Sequence, residues 1–174
     1  MSRHAFAIWV TGLPASGKST IVRALTPRLE ALHLTVEVLE SDKVRQVLTP
    51  DATYAEGERD LFYRALAFTG ARLVEHCVTV VFDATASKQI YRDFARHLIP
   101  RFMEVSVVCP LKLCMERDYK GTYLRGERGE TSTVPGLQVP YEPPLNPEIT
   151  IDTTKVQAPQ AAKLIVKAAT DRYL

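Results

Sequence analysis

The chain has 174 residues, 46% of them hydrophobic and 24% charged, values that fit one globular domain spanning residues 1–174. Its formal net charge of +2 argues for neither a nucleic-acid partner nor a membrane surface. The apolar stretch within MSRHAFAIWV is too short for a signal sequence or a membrane span, so a cytoplasmic protein is expected.

Strand-like and helical patterns alternate along the chain. Three of the strand candidates are nearly continuous apolar runs, which are typical of parallel strands covered on both faces. Apolar residues at three- and four-residue steps predict helices between and after the strands. This alternation predicts an α/β fold with a mostly parallel sheet. The strand candidates are residues 5–11, 35–40, 77–84, 102–109 and 148–152.

Three local features stand apart from this pattern. Pro27 falls inside the first predicted helix, where proline costs about 3 kcal/mol unless the helix bends or breaks. Residues 119–147 show no clear period and are rich in proline, which predicts a long loop used as a lid or for binding. The cysteines have no metal-ligand spacing, so we expect buried thiols in a reducing compartment at Cys77, Cys109 and Cys114.

A glycine-rich motif joins the first strand to the first helix. The sequence GLPASGKS fits G-x-x-x-x-G-K-[ST], the Walker A pattern. Its backbone N–H groups and the helix N-terminus bind phosphates, the lysine reaches the β- and γ-phosphates, and the serine hydroxyl ligates Mg²⁺. The motif therefore predicts binding of a nucleoside triphosphate such as ATP, with Mg²⁺ on Ser19. The predicted contacts are Gly12, Leu13, Pro14, Ala15, Ser16, Gly17, Lys18, Ser19 and Thr20.

The second strand ends in LESDKVR, which places a carboxylate at the edge of the sheet where α/β proteins bind ligands. Asp42 is a candidate to take a proton from an acceptor hydroxyl or to hold Mg²⁺ through water. The alternative is an N-cap role for a helix over 43–48. Arg45, one turn later, is a candidate clamp for an anionic acceptor, with a solvent-exposed arginine as the alternative.

The third strand ends in VVFDAT, which resembles a Walker B strand. Asp83 is therefore a candidate organiser of Mg²⁺, although a structural aspartate at a strand end is an open alternative. Ser87 lies at the same edge of the sheet. The long loop brings further cations that can neutralise transferring charge while the lid excludes water, unless they form only a solvated basic loop. These cations are Arg117, Lys120, Arg125 and Arg128.

Beyond the Walker motif, several stretches carry a family resemblance. WVTGLPASGKST, LESDKVR, CPLKLCMERDYKGTY and PYEPPLNPEITIDT are similar to successive motifs of adenylyl-sulfate kinases, and the last is the most specific. These enzymes transfer the ATP γ-phosphate to the 3′-hydroxyl of adenosine 5′-phosphosulfate (APS). The resemblance implies a five-stranded parallel P-loop kinase sheet with helices on both faces and a lid. It also implies MgATP, a small nucleotide-like substrate and a homodimer.

Carried over by position, the resemblance implies roles for single residues. Asp42 would be the general base, and Lys18 would bind and neutralise the transferring phosphate. Arg117 and Thr153 would lie near the ATP adenine, and Lys120 would reach the phosphates from the lid. The acceptor contacts implied are Asp42, Arg45, Tyr54, Arg59, Arg64 and Ser87.

The departures from the family pattern fall on the acceptor side. Glu40 replaces the first aspartate of the family's Asp-Gly-Asp-Asn motif, and Tyr54 replaces a stacking phenylalanine. Phe62 replaces an asparagine, Ala65 an arginine, and Val134 an aromatic residue of the lid. Loss of a stacked base contact costs about 1–3 kcal/mol, so weaker APS binding or a changed acceptor is expected.

The leading hypothesis is therefore an ATP-dependent adenylyl-sulfate kinase. A second hypothesis keeps phosphoryl transfer but changes the acceptor to another nucleotide-like anion with a free hydroxyl. A third is a nucleotide-binding regulator with slow or no transfer, which the presence of both Asp42 and Lys18 argues against.

Overall fold

The computed structural model describes residues 5–174, which form a five-stranded sheet in the order β2-β3-β1-β4-β5. Every neighbouring pair of strands is parallel. The strands are β1 (Ala7–Thr11), β2 (Val36–Glu40), β3 (Thr79–Asp83), β4 (Phe102–Val108) and β5 (Ile149–Asp152). The helices are α1 (Lys18–Glu30), α2 (Ser41–Leu48), α3 (Glu56–Glu75), α4 (Gln89–Leu98), α5 (Leu111–Glu116), α6 (Thr122–Glu127) and α7 (Ala158–Tyr173).

Alternate residues of the central strand β1 enter two separate cores. Ile8 and Val10 pack with α1 and α7 on one face of the sheet. Ala7 and Trp9 pack with α3 and α4 on the other face. All five residues of β1 are buried because both faces are covered, which is why the strand reads as a continuous apolar run. The predicted α/β fold, with helices on both faces, is confirmed.

Local boundaries follow the sequence with three differences. α1 continues through Pro27 to Glu30 instead of breaking there, and only three residues of the helix follow the proline. The predicted burial of all three cysteines is wrong for Cys77, which is exposed in the turn before β3 with φ of 64°. Cys109 and Cys114 are buried as expected.

The segment 119–147, called the lid below, is more ordered than the sequence predicts. It contains the six-residue helix α6, whose first N–H groups donate to the carboxylate of Asp118 at 2.7–3.1 Å. Tyr123 of α6 is buried and its hydroxyl donates to the Pro14 carbonyl at 3.0 Å. The lid is therefore packed against the Walker motif. No helix within 5–174 is long and apolar enough to cross a membrane.

Candidate functional site

The Walker motif forms the turn between β1 and α1. Gly17 has φ of 104°, a left-handed conformation that favours glycine, and it directly precedes the helix. Gly12 packs so closely on β4 that an added Cβ would lie 2.5 Å from the Val107 carbonyl oxygen. Ser16 is fully buried, and its Oγ has no hydrogen-bond partner among residues 5–174. The turn thus presents a free hydroxyl and a helix N-terminus, features suited to phosphate.

Lys18 is folded back over this turn. Its Nζ donates to the carbonyl oxygens of Gly12 at 3.0 Å and Leu13 at 2.8 Å, and the side chain is almost fully buried. Burial lowers the pKa of Lys18, while the nearby carboxylates of Asp83 and Asp42 oppose that shift. A bound phosphate would offer Nζ charged oxygens in place of these two neutral carbonyl oxygens. Lys18 is therefore positioned to bind an anion.

Asp83 ends β3 beside the first turn of α1. The residue is only 7% exposed, and the Ser19 hydroxyl is near enough to its carboxylate to lower the pKa of Asp83. Burial raises the pKa of Asp83, and the charge of Lys18 opposes the rise. A carboxylate and a hydroxyl side by side are hard oxygen donors of the kind Mg²⁺ prefers. The residues present therefore fit the metal that the Walker motif implies.

Asp42 lies in the first turn of α2, and the helix begins before it, at Ser41. The N-cap alternative for Asp42 is therefore wrong, because Glu40 occupies that position. The Asp42 carboxylate pairs with Lys120 of the lid at 2.6 Å, and both side chains are well exposed, at 64% and 68%. This ion pair raises the pKa of Lys120. Asp42 and Lys120 thus face each other near the Walker lysine.

Arg45 forms a second cluster with aromatic rings. Its guanidinium carbon lies 3.7 Å from the ring centre of Phe62 and 4.9 Å from that of Tyr54. The side chain is 8% exposed, and the nearest carboxylate, on Glu58, is 3.6 Å from Nη1. Nη1 has no hydrogen-bond partner among the residues that the structure describes. The solvent-exposed alternative for Arg45 is therefore wrong.

Of the remaining predicted acceptor residues, Arg59 and Ser87 lie at the site, whereas Arg64 lies elsewhere. Arg59 donates to the carbonyl of Thr133 in the lid, and its guanidinium is 5.6 Å from the Tyr54 ring. Ser87 is buried just beyond β3. Arg64, in contrast, is exposed over the Phe94 ring and lines a separate hollow of about 180 Å³ between α3 and α4.

Two predicted nucleotide residues lie together beside the Walker turn. Thr153 donates to the Ser16 carbonyl at 2.9 Å, and Arg117 donates to the Thr153 hydroxyl at 3.5 Å. A hollow of about 520 Å³ lies between Leu13 and residues 136–141 of the lid. The turn and the lid therefore border an open hollow next to the predicted phosphate site.

Sequence reasoning assigned no role to several residues that organise the site. Tyr141 lies within the quoted stretch PYEPP, and its hydroxyl is 3.1 Å from the Thr11 hydroxyl. Arg92 is buried near the end of β3 and bonds to residues distant in sequence. Val134, which takes the place of an aromatic residue in the family's lid, is buried with Cys114 and Tyr123.

Comparison with known proteins gives a consistent result. Residues 4–152 match the model of a family described as adenylylsulphate kinase. A probable adenylyl-sulfate kinase of Archaeoglobus fulgidus is 37% identical over 151 residues, covering 87% of this chain and 97% of that protein. An adenylyl-sulfate kinase of Synechococcus sp. is 34% identical over 172 residues, covering 99% and 98%. The APS kinase of Mycobacterium tuberculosis, solved in complex with AMPPNP and APS, is 26% identical with a TM-score of 0.89, covering 96% and 98%.

Proposed function

The chain belongs to the adenylylsulphate kinase family, and from that membership we propose that it transfers the γ-phosphate of ATP to the 3′-hydroxyl of APS. It is a phosphotransferase whose substrates are small molecules. The observation that carries the proposal is the neighbourhood of Lys18. Lys18 follows β1 and Asp42 follows β2, and both strands run parallel to β3, so the predicted phosphate-binding lysine and the predicted proton acceptor lie at one edge of the sheet.

In the proposed reaction, the acceptor oxygen attacks the γ-phosphorus in line with the bond to the β-phosphate oxygen. The new phosphorus–oxygen bond forms as the old one breaks, ADP leaves, and the hydroxyl proton passes to the Asp42 carboxylate. Lys18 and Lys120 neutralise charge on the transferring group. We propose that Ser19 and Asp83 hold Mg²⁺, which when bound neutralises charge on the phosphates.

The acceptor is proposed to bind near Arg45, Tyr54 and Arg59. A charged guanidinium that is buried with unused hydrogen-bonding capacity is costly unless an anion completes it, and the phosphosulfate group of APS is such an anion. Phe62 and Val134 are buried where the family pattern has an asparagine and an aromatic residue. Neither can supply the polar or stacking contact to the acceptor that the family residue would make. This supports the second candidate, another nucleotide-like anion with a free hydroxyl.

A coupled assay of ADP release across a panel of acceptors tests the proposed function. We expect turnover with APS to exceed that with every other hydroxyl compound, including nucleoside diphosphates. Turnover favouring a different anion would establish the second candidate. ATP binding without a phosphorylated product would instead identify a nucleotide-binding regulator.

If Asp83 holds Mg²⁺, its carboxylate should support activity while lowering the stability of the folded protein at neutral pH. Because burial raises its pKa, the folded protein holds this proton more tightly than the unfolded chain, whose carboxyl has a pKa of about 3.9. Its contribution to stability therefore falls as the pH rises through the folded-state pKa. Asp83→Asn is expected to raise the melting temperature at pH 7 but not at pH 3.5, and to increase the Mg²⁺ concentration needed for activity. Melting curves at both pH values and an Mg²⁺ titration check this, and a variant less stable at pH 7 would contradict it.

A homodimer, which the resemblance implies, and a cytoplasmic location, which the short N-terminal apolar stretch led us to expect, are also proposed. Light scattering of the purified protein tests the first, and fractionation of the source cells tests the second.

A further inference from the structure

A short turn over residues 84–88 follows Asp83 at the edge of the sheet. Ala86 in this turn has φ of 43°, a conformation that is unfavourable for residues other than glycine. Its N–H donates to the Tyr63 hydroxyl at 3.1 Å, and its carbonyl accepts from Nη1 of Arg92. Strained backbone of this kind persists only where the surroundings hold it, and it concentrates at functional sites. Two buried side chains therefore fix the shape of the turn.

Arg92 uses its donors to join this turn to the lid. Its Nε donates to Glu104 at 2.7 Å, and its side chain is 0% exposed. Nη1 also donates to the Lys88 carbonyl at 3.3 Å, and Nη2 donates to the Glu142 carbonyl at 2.6 Å and to Gln89 Oε1 at 2.7 Å. All three nitrogens of the planar guanidinium thus donate hydrogen bonds. A lysine cannot reproduce this arrangement of donors.

Residues 141 and 142, called the lid root below, are fastened at further points. The Glu142 N–H donates to the Ser87 carbonyl at 2.8 Å, and the Gln89 N–H donates to the Glu142 carboxylate at 2.6 Å. Tyr141 meets Thr11, whose hydroxyl donates to the Thr85 carbonyl at 2.6 Å. The end of the lid and the turn therefore form one unit, with Arg92 at its centre.

We propose that Arg92 is a positioning residue for acceptor binding, acting through the turn 84–88 and the lid root. The inference rests on the proposed function, because it requires that an acceptor bind between the lid and this edge of the sheet. A buried ion pair is weak evidence of stabilisation, since well-packed apolar residues often serve as well. The contacts of Arg92 go chiefly to backbone carbonyls of two segments at the site, which is what a role in placing those segments requires.

Arg92→Lys tests this proposal, with Arg96→Lys as the matched control. Arg96 belongs to the same ionic cluster, because it pairs with Glu104 at 3.4 Å and with Glu148 at 2.7 Å. Within residues 5–174, its side chain makes no hydrogen bond or ion pair with the turn or the lid root. We expect Arg92→Lys to raise the KM for the acceptor about tenfold and to leave the KM for ATP unchanged. Arg96→Lys should change neither. Equal changes in both KM values, or an acceptor KM that does not move, would overturn the proposal.

A second variant decides the matter if Arg92→Lys does not fold. Tyr63→Phe removes the other group that holds Ala86, and Tyr173→Phe removes a hydroxyl that bonds to Phe102 far from the turn. Only Tyr63→Phe should raise the acceptor KM, and equal behaviour of the two variants would refute the inference. If the wild type uses another acceptor, the comparison is made with that compound, so a wrong substrate is distinguished from a wrong role for Arg92. A wild type that turns over no acceptor overturns the proposed function and this inference together.

Discussion

Replacing Glu104 by leucine is expected to lower the free energy of unfolding by about 3–5 kcal/mol, because it leaves a buried charge without its partner. Glu104 is 2% exposed, and its carboxylate accepts from Arg92 at 2.7 Å and from Arg96 at 3.4 Å. Both arginines keep their other hydrogen bonds in the variant, but the positive charge of Arg92 stays enclosed. Urea denaturation of the wild type and the variant measures the difference.

An exposed ion pair provides the control for this stability prediction. Asp171 pairs with Lys167 at 2.6 Å on α7, and both side chains are largely exposed. Such pairs contribute about 0–1 kcal/mol, so Asp171→Asn should hardly change the midpoint of unfolding. A Glu104→Leu variant as stable as Asp171→Asn would show that the buried cluster does not depend on the Glu104 charge. The m-value should stay constant in both, since neither change alters the surface exposed on unfolding.

The elements that the sequence predicts well are those whose signals are local. The Walker turn needs glycines, a lysine and a serine within eight positions, and the apolar run of β1 directly precedes it. Each is recognisable without knowing where the rest of the chain lies. The same holds for the placement of Asp42 and Asp83, because parallel strands bring their carboxyl ends to one edge of the sheet.

What the sequence does not predict depends on contacts between distant positions. Arg92 bonds to Glu142, fifty residues away, and Tyr123 bonds to Pro14, 109 residues away. Neither pairing leaves a periodic pattern. The sequence does not predict helix α6 for a related reason: the helix is only six residues long, contains Gly126, and is stabilised by the Asp118 carboxylate and by packing on the Walker turn. A departure from a family motif also does not show whether the new side chain is buried. The burial of Phe62 and Val134 is therefore known only from the structure.

Changing Asp42 to asparagine is expected to lower kcat by about 10²- to 10⁴-fold, the usual contribution of a general base. The amide keeps nearly the same shape but cannot accept the acceptor's proton. Affinity for ATP should not fall, because the variant releases Lys120 from its ion pair and leaves that cation free for the phosphates. Steady-state turnover and equilibrium binding of an ATP analogue, measured on the same preparation, separate the two effects.

The control must distinguish proton transfer from the loss of an exposed carboxylate. Asp171→Asn removes a similarly exposed carboxylate that also pairs with a lysine at 2.6 Å, and it should leave kcat unchanged. Lys120→Met breaks the same ion pair as Asp42→Asn from the other side while keeping the carboxylate. If Lys120→Met lowered kcat as far as Asp42→Asn without affecting the KM for ATP, the ion pair itself would be what catalysis requires. Asp42 would then serve to place the lid, and the proton would need another acceptor.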